Sequence, residues 1–292
     1  MNDNKHSNIC KHNNEIMPHF GDPEYWKRYF AEQAQDPFHS EEFLQDFQGI
    51  KRPIMAQLKK KSKILQVGCG NSYLGEDIYD CGIENVTNVD ISPEVLNLMK
   101  IRNQVEGRKK IKHVQADFTK EVVAGFTTPK FDVVIDKNVL DCFMSIPNDH
   151  NTTAMRYVKN IVTQLKAGGV YIMLSYCSEN ARLPILGYKA DPDFVYRLTK
   201  GIKWKRVTCI RIPKQHTGMK HGSAERIEDE EDISHFLYVC EKSGKTAVRR
   251  YKWEGQAQKK AIVEALDNVL RPKHSVDEDD LFGDSSDEDG FS

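Results

Sequence analysis

The amino-acid sequence predicts a doubly wound α/β fold, in which helices cover both faces of a mostly parallel sheet. The first observation behind this prediction is a regular alternation of short apolar runs and helical patterns between Lys63 and Tyr176. Neighbouring parallel strands need a crossover connection, usually a helix, so this alternation favours a parallel sheet. The second observation is a pair of β-like runs, 206–212 and 235–241, whose polar connection shows no helical pattern. These two runs are predicted to be antiparallel neighbours.

Five short apolar runs are predicted to be the strands of the parallel part. They span residues 63–68, 85–90, 111–117, 131–136 and 170–176. Continuous apolar runs of about 4–8 residues are typical of strands that are buried on both faces of a sheet.

Helical signals lie between these strands. The run 73–81 is followed by Gly82, which favours a left-handed helix cap. Ser92-Pro93-Glu94 combines a capping hydroxyl, a first-turn proline and an acid, and therefore predicts a helix start. The inward face of that helix is predicted to contain Val95, Leu98 and Met99. A later helix is predicted to end at Gly168-Gly169, with an apolar face of Met155, Val158, Ile161, Val162 and Leu165.

Composition divides the chain into four predicted segments. Residues 1–22 are polar and are expected to be a flexible lead-in, and 23–243 form the folded domain, which opens with an aromatic helix. Residues 244–274 are expected to be a helical extension, and 275–292 a disordered acidic tail. The tail holds eight acidic residues and no basic one, so the net charge of −1 leaves +7 on residues 1–274. The tail is expected to bind a basic partner or to act only as a solubilising segment.

The bulk composition argues against several classes of protein. A charge of +7 spread over 274 residues is too dilute to predict a nucleic-acid-binding face. The seven cysteines are scattered singly, which indicates neither a zinc site nor a disulfide framework, and no His-Glu-x-x-His motif predicts a metal. The polar N-terminus is unlike a signal peptide, and no apolar run reaches the ~20 residues of a membrane helix. We therefore expect a cytoplasmic protein, with access to the nucleus left open.

The ends of the predicted strands carry the residues that indicate a ligand. Gly68 and Gly70 follow the first strand, and glycines there let the backbone approach a ligand closely. Asp90 ends the second strand twenty residues after Gly70, a spacing that suits hydrogen bonds from ribose hydroxyls. Asp117 ends the third strand, where it is placed to meet an adenine amino group. These positions predict an adenosine-containing cofactor.

The segment Gly68-Cys69-Gly70-Asn71-Ser72 after the first strand is called the glycine loop below. This loop lacks the third glycine of the dinucleotide fingerprint. Tyr73 stands at that position, and Gly75 comes two residues later. A bulky residue there disfavours a pyrophosphate on the helix N-terminus, so NAD(P) is disfavoured. The loop suits an adenosine ligand without phosphates, such as S-adenosylmethionine.

The segments ILQVGCGNSYLGEDIYDCGIENVTNVDIS and FDVVIDKNVLDCF, with the entry helix EYWKRYF, resemble the class I S-adenosylmethionine-dependent methyltransferases. Within that class they are similar to the subgroup that contains the lysine methyltransferases of translation elongation factor 1-alpha. The resemblance covers about 24–241 and is strongest over 63–143. It implies a Rossmann-like seven-stranded sheet with an antiparallel last hairpin.

The resemblance also implies roles for individual residues. The methionine end of the cofactor would lie against the glycine loop, the ribose and adenine against the next two strand ends, and two aromatic rings would close over them. The corresponding cofactor-binding residues are Gly68, Gly70 and Asn71, then Asp90 and Ile91, then Asp117 and Phe118, with Trp26 and Phe30 as the rings. Lys137 would pair with the cofactor's carboxylate, or alternatively with a strand-end acid. The subgroup's pattern also places an aromatic residue where this chain has Ser40, so the lid is expected to differ from that of the subgroup.

Methyl transfer from a sulfonium is an in-line displacement that depends mainly on positioning. A lysine acceptor must arrive neutral, and Asp136 or Tyr176 at strand ends are the candidates for orienting its amine. The predicted activity is methylation of a protein lysine, with a translation factor as partner. The alternatives are a methyltransferase for a small molecule or RNA, and a non-catalytic scaffold of the same fold.

Overall fold

The computed structural model describes residues 20–32, 36–149, 151–187, 202, 204–214 and 234–244. The chain divides into two units, Met1–Thr246 and Ala247–Ser292, and every described residue belongs to the first. The predicted extension beyond Gly244, the acidic tail and the first 19 residues lie outside the described residues.

The described residues build a mixed seven-stranded sheet, as predicted. Its strands are β1 (Ile64–Val67), β2 (Val86–Asp90), β3 (Lys112–Gln115), β4 (Phe131–Lys137), β5 (Leu165–Ser175), β6 (Trp204–Pro213) and β7 (Ser234–Lys242). Their order is β3-β2-β1-β4-β5-β7-β6, and the first five are parallel. Strand β7 runs antiparallel between β5 and β6, which confirms the predicted last hairpin.

The helices of the described residues lie between and before these strands. They are α1 (Pro23–Glu32), α2 (Phe47–Met55), α3 (Leu74–Asp80), α4 (Pro93–Val105), α5 (Val139–Met144), α6 (Thr152–Gln164) and α7 (Glu179–Arg182). The predicted start of α4 is confirmed, because the Ser92 hydroxyl accepts a hydrogen bond from the Val95 N–H at 3.3 Å. The sequence pattern did not predict α2, α5 or α7, since helices of nine, six and four residues have too few turns for a clear period.

One predicted boundary is wrong. Helix α6 ends at Gln164, and Gly168-Gly169 lie within β5. The register of β4 against β5 shifts there, since Phe131 pairs with Leu165 and Val133 with Val170. Gly168 has φ 74°, so it serves an irregularity in the strand rather than a helix cap.

The core has two main layers, one on each face of the sheet. Residues of α6 pack on one face together with alternate residues of the strands, among them Val134 of β4 and Tyr171 of β5. Residues of α2 and α3 pack on the other face with the intervening positions, among them Ile135 and Ile172. This alternation is the physical basis of the doubly wound arrangement.

A third, smaller cluster joins α1 to α4. Its buried members are Phe30, Cys69, Val95, Leu96 and Met99, and Trp26 and Tyr29 pack against it. The aromatic entry helix is thereby placed above the carboxyl end of β1. No helix among the described residues is long and apolar enough to cross a bilayer.

Candidate functional site

A cleft of about 880 Å³, part of it open to solvent, lies at the carboxyl ends of β1, β2 and β4. The strand order reverses between β1 and β4, and ligands of open α/β sheets bind at this switch point. All ten predicted cofactor-binding residues line the cleft, namely Trp26, Phe30, Gly68, Gly70, Asn71, Asp90, Ile91, Asp117, Phe118 and Lys137.

The two glycines after β1 are required by the packing of the protein itself. Gly68 has φ 60°, and a Cβ there would overlap the side chain of Val139. Gly70 has φ 51°, and a Cβ there would lie 3.1 Å from the ring of Phe30. Both residues adopt the left-handed region, which costs a non-glycine residue about 1–2 kcal/mol. The loop is therefore held close to α1 and α5 even before any ligand is considered.

Gly75 comes two residues after the position of the third glycine in the dinucleotide fingerprint. It nevertheless allows the same close packing of a helix against a strand. A Cβ on Gly75 would lie 2.6 Å from Asn88 Oδ1. The residue thus lets α3 approach β2 closely.

Asp90 joins the end of β2 to the glycine loop. One carboxylate oxygen accepts the Gly70 N–H at 2.9 Å, and the other accepts the Ser92 N–H at 3.0 Å. Burial raises the pKa of this carboxyl, against the lowering effect of the N–H groups that donate to it. Each carboxylate oxygen has a second lone pair, so the side chain can still accept from a ribose hydroxyl in the cleft.

Asp117 and Phe118 follow β3 and form the adjoining wall. Asp117 Oδ1 accepts the Thr119 N–H at 2.8 Å, which makes a local turn. The Asn160 amide of α6 donates to the Phe118 carbonyl at 2.8 Å and ties this wall to the helix layer.

Lys137 is buried at the end of β4 and pairs with Glu42. Its ammonium contacts the Glu42 carboxylate and donates to the Gln45 carbonyl at 3.1 Å. The alternative of a salt bridge is therefore present, although the acid comes from the segment before α2 and not from a strand end. Burial lowers the pKa of Lys137, and Glu42 acts against that lowering.

Glu42 is a residue of the site that the sequence reasoning missed. Besides Lys137, its carboxylate accepts the Ser72 hydroxyl and the Tyr73 N–H, both at 2.7 Å. Burial acts to raise the pKa of Glu42, but these partners lower it overall. An acid at the N-terminus of α3 is favourable, yet no local pattern connects residue 42 with that helix.

The lid contains a third aromatic ring, Phe43, although position 40 itself is serine. Phe43 lines the cleft and packs edge-on against Trp26, with ring centroids 6.0 Å apart. The Tyr29 hydroxyl of α1 donates to the Glu41 carboxylate, and the Glu41 N–H donates to Asn71 Oδ1 at 3.0 Å. The lid helix and the glycine loop are thus connected through Glu41.

Neither of the two residues that were predicted to orient the acceptor amine, Asp136 and Tyr176, lines the cleft. Asp136 is not among the residues that line the cleft, and its carboxylate accepts the hydroxyls of Tyr157 and Tyr171 at 3.1 and 2.8 Å and two N–H groups of α5. Burial raises the pKa of Asp136 to about 7. Tyr176 is 50% exposed and also lies outside the cleft lining. A side chain committed to four donors within the core cannot also orient an acceptor.

Two buried arginine–carboxylate pairs flank the site, and the sequence reasoning missed both. Arg102 pairs with Glu76 at 2.7 Å, and Arg182 pairs with Asp141 at 2.6 Å. A signal for the first exists in the sequence, because Arg102 lies on the same helical face as Val95 and Met99.

The cleft as a whole favours a cationic ligand. Among the described residues that line it, the acids are Glu41, Asp90 and Asp117, whereas Lys137 is the single Lys or Arg and is paired with Glu42. Seven aromatic rings complete the lining: Phe20, Trp26, Phe30, Phe43, Phe118, Phe143 and Tyr157. Carboxylates and aromatic faces both attract positive charge. The described residues hold no cluster of three or more His, Cys, Asp or Glu side chains that could bind a metal.

Comparison with known proteins agrees with this geometry. A family model described as "Methyltransferase domain" matches residues 58–221. The eEF1A lysine and N-terminal methyltransferase of Danio rerio is 32% identical over 161 residues, which is 55% of this chain and 22% of that protein. The EEF1A lysine methyltransferase 4 of Mus musculus is 24% identical over 168 residues, which is 55% of this chain and 63% of that protein. The chain therefore spans about a fifth of the length of the first of these relatives.

Among solved structures, a protein of echinomycin biosynthesis that converts a disulfide bond into a thioacetal group has the same fold. Its TM-score with this chain is 0.50 at 14% identity, and the match covers 84% of this chain and 99% of that protein. At this identity the likeness concerns the fold alone.

Proposed function

The chain belongs to the family of methyltransferase domains, whose cofactor is S-adenosylmethionine, and on that premise we propose that it methylates a lysine side chain of another protein. The observation that carries the proposal is the cleft at the β1–β4 switch point, which is acidic and lined with aromatic rings. The names of the relatives, eEF1A lysine methyltransferases, support the same class of acceptor.

The residues of the cleft fit the cofactor. In the proposal, Asp90 and Ile91 hold the ribose, Asp117 and Phe118 hold the adenine, and the glycine loop with Lys137 faces the methionine end. The bound cofactor supplies an electrophilic methyl group on a positively charged sulfur. The acidic lining stabilises that charge, and the lid rings Trp26, Phe30 and Phe43 exclude water from it.

The acceptor amine must lose its proton before transfer. A free lysine has a pKa of about 10.4, and apolar surroundings lower it because they disfavour the charged form. Phe20, Phe43 and Phe143 supply such surroundings at the cleft. Cation–π attraction to the same rings favours entry of the ammonium form. The site therefore combines attraction of a cation with conditions for its deprotonation.

A translation elongation factor of the 1-alpha class is the proposed protein substrate. Purified chain and isotopically labelled S-adenosylmethionine would be added to a proteome from cells that lack this protein, and labelled products would be identified by mass spectrometry. The control is Gly70→Val, in which both the left-handed φ and the ring of Phe30 oppose a side chain. Label on a lysine that is absent in the control supports the proposal.

Other outcomes of this experiment separate the alternatives. Label only in the RNA or small-molecule fraction would reject the lysine acceptor and keep the methyltransferase. No label in any fraction, although calorimetry shows cofactor binding, would favour a non-catalytic scaffold.

A further inference from the structure

Arg102 is a charged residue in the apolar interface beneath the glycine loop. It lies on the inward face of α4, and the side chains of Arg102 and Glu76 are each only 1% exposed. It does not line the cleft. Replacing a buried ion pair with apolar residues is often neutral or stabilising, so stability alone is a weak reason for such a pair.

The guanidinium makes contacts that an apolar side chain could not replace. Its Nη1 donates to the Asn71 carbonyl at 3.0 Å, and its Nη2 donates to the Ser72 carbonyl at 3.3 Å. Nε and Nη2 donate to Glu76 Oε1 at 3.0 and 2.7 Å, and the guanidinium carbon lies 3.9 Å from the ring centroid of Tyr73. The planar fork of arginine is needed to serve the helix carboxylate and both loop carbonyls together.

These contacts fix two consecutive peptide planes of the glycine loop. In the plane between Asn71 and Ser72, the carbonyl is held by Arg102 and the N–H donates to the Cys69 carbonyl at 3.3 Å. In the plane between Ser72 and Tyr73, the carbonyl is held by Arg102 and the N–H donates to Glu42. Each plane is therefore held at both ends, and the wall of the cleft is set before a ligand arrives.

We infer that Arg102 is a positioning residue for the cofactor, which sets the affinity for S-adenosylmethionine through the glycine loop without touching the ligand. The inference rests on the cofactor of the family and not on the lysine acceptor. A loop that is ordered in advance binds more tightly because less entropy is lost on binding.

The test measures the affinity for S-adenosylhomocysteine by titration calorimetry and the melting temperature by scanning calorimetry. The first variant is Arg102→Lys, which keeps the charge beside Glu76 but loses the fork. The matched control is Arg182→Lys, because Arg182 is also only 2% exposed and its guanidinium donates to Asp141 and Ser175 rather than to the glycine loop. Both variants are expected to melt at lower temperature, but only Arg102→Lys should weaken binding, by about tenfold or more.

A second variant removes the contacts without leaving an unpaired buried charge. The double substitution Arg102→Met with Glu76→Leu replaces the whole pair with apolar side chains, which buried pairs often tolerate. It is expected to fold and to bind S-adenosylhomocysteine at least tenfold more weakly. Affinity within twofold of wild type in this folded double variant would overturn the inference, as would an equal loss in Arg182→Lys. If the wild-type chain bound no S-adenosylhomocysteine, both the inference about Arg102 and the assignment of the cofactor would be overturned. A failure to label lysine would reject the proposed acceptor and leave the inference about Arg102 intact.

Discussion

Single side chains at the strand ends serve both the ligand site and the protein around it. Asp90 accepts N–H groups from the loops after β1 and β2, so its removal would disturb the wall of the cleft as well as any ribose contact. Gly68 and Gly70 are glycines because their φ values and their neighbours exclude a side chain. Variants at these positions therefore need controls that separate ligand contact from local structure.

Asp90→Asn is expected to weaken S-adenosylhomocysteine binding about 10- to 100-fold, since a hydrogen bond to a charged group contributes about 1.5–3 kcal/mol. Titration calorimetry measures the effect. Asp132→Asn is the control, because Asp132 accepts the Lys63 N–H at the amino end of β4, away from the cleft. Unchanged affinity in Asp90→Asn would disprove the ribose assignment.

Gly68→Ala is expected to lower the free energy of unfolding by about 2–4 kcal/mol, from left-handed strain and from overlap with Val139. Gly82→Ala is the matched control, because Gly82 has φ 87° but no atom within 4 Å of an added Cβ. It should lose only the strain, about 1–2 kcal/mol. Denaturant unfolding measures both free energies of unfolding. Equal losses in the two variants would show that the Val139 side chain moves aside without an energetic penalty.

At the scale of elements, the segment that contains Glu41 and Glu42 connects the lid helix α1 to the glycine loop. Helix α1 contacts the body through Phe30 over Gly70 and through the Tyr29 hydroxyl on Glu41. Glu41 and Glu42 are adjacent, yet one is bound to α1 and the other to the N-terminus of α3 and to β4. The segment therefore connects α1, α3 and β4.

Tyr29→Phe is expected to weaken S-adenosylhomocysteine binding about 3- to 10-fold, since it removes one charge-assisted hydrogen bond between the lid and the body. The dissociation rate, measured by stopped-flow fluorescence of the lid tryptophan, should rise by the same factor. Tyr25→Phe is the control within α1, because the Tyr25 ring packs on Tyr29 within the same aromatic group. Equal effects of the two substitutions would contradict a role for the Glu41 contact.

Local sequence signals predicted most helices and strands. They failed where the same signal occurs in two kinds of local structure. The Ser92-Pro93-Glu94 start of α4 is correct because capping depends on neighbouring residues alone. The Gly168-Gly169 pair looked like a helix end, but a strand irregularity also uses a positive φ at Gly168. Helix propensity could not distinguish these, since the pairing of β4 with β5 decides between them.

At the scale of the whole molecule, the described residues that line the cleft all lie between Phe20 and Tyr157. The eight acids of the tail at 275–292 come later in the sequence than all of these residues. If the tail is only a solubilising appendage, the cofactor site should not depend on it.

Deletion of 275–292 is expected to leave the affinity for S-adenosylhomocysteine within twofold of the full chain. Titration calorimetry at about 0.15 M salt is the measurement, because the Debye length is then about 8 Å. The Asp90→Asn variant serves as the positive control for lost binding. A loss of more than about tenfold on deletion would show that the tail stabilises the cofactor site.

The sequence by itself determined the doubly wound sheet, the strand ends that face one cleft and the adenosine character of the ligand. These properties follow from periodicity, glycine conformation and chain spacing, which are local. Only the tertiary structure decided which charges meet. Lys137 and Glu42 are 95 residues apart, and Asp136 points into the core although its neighbour Lys137 reaches the cleft. The physical reason is that successive side chains of a strand point to opposite faces, and the partner of a buried charge is set by whichever element packs there.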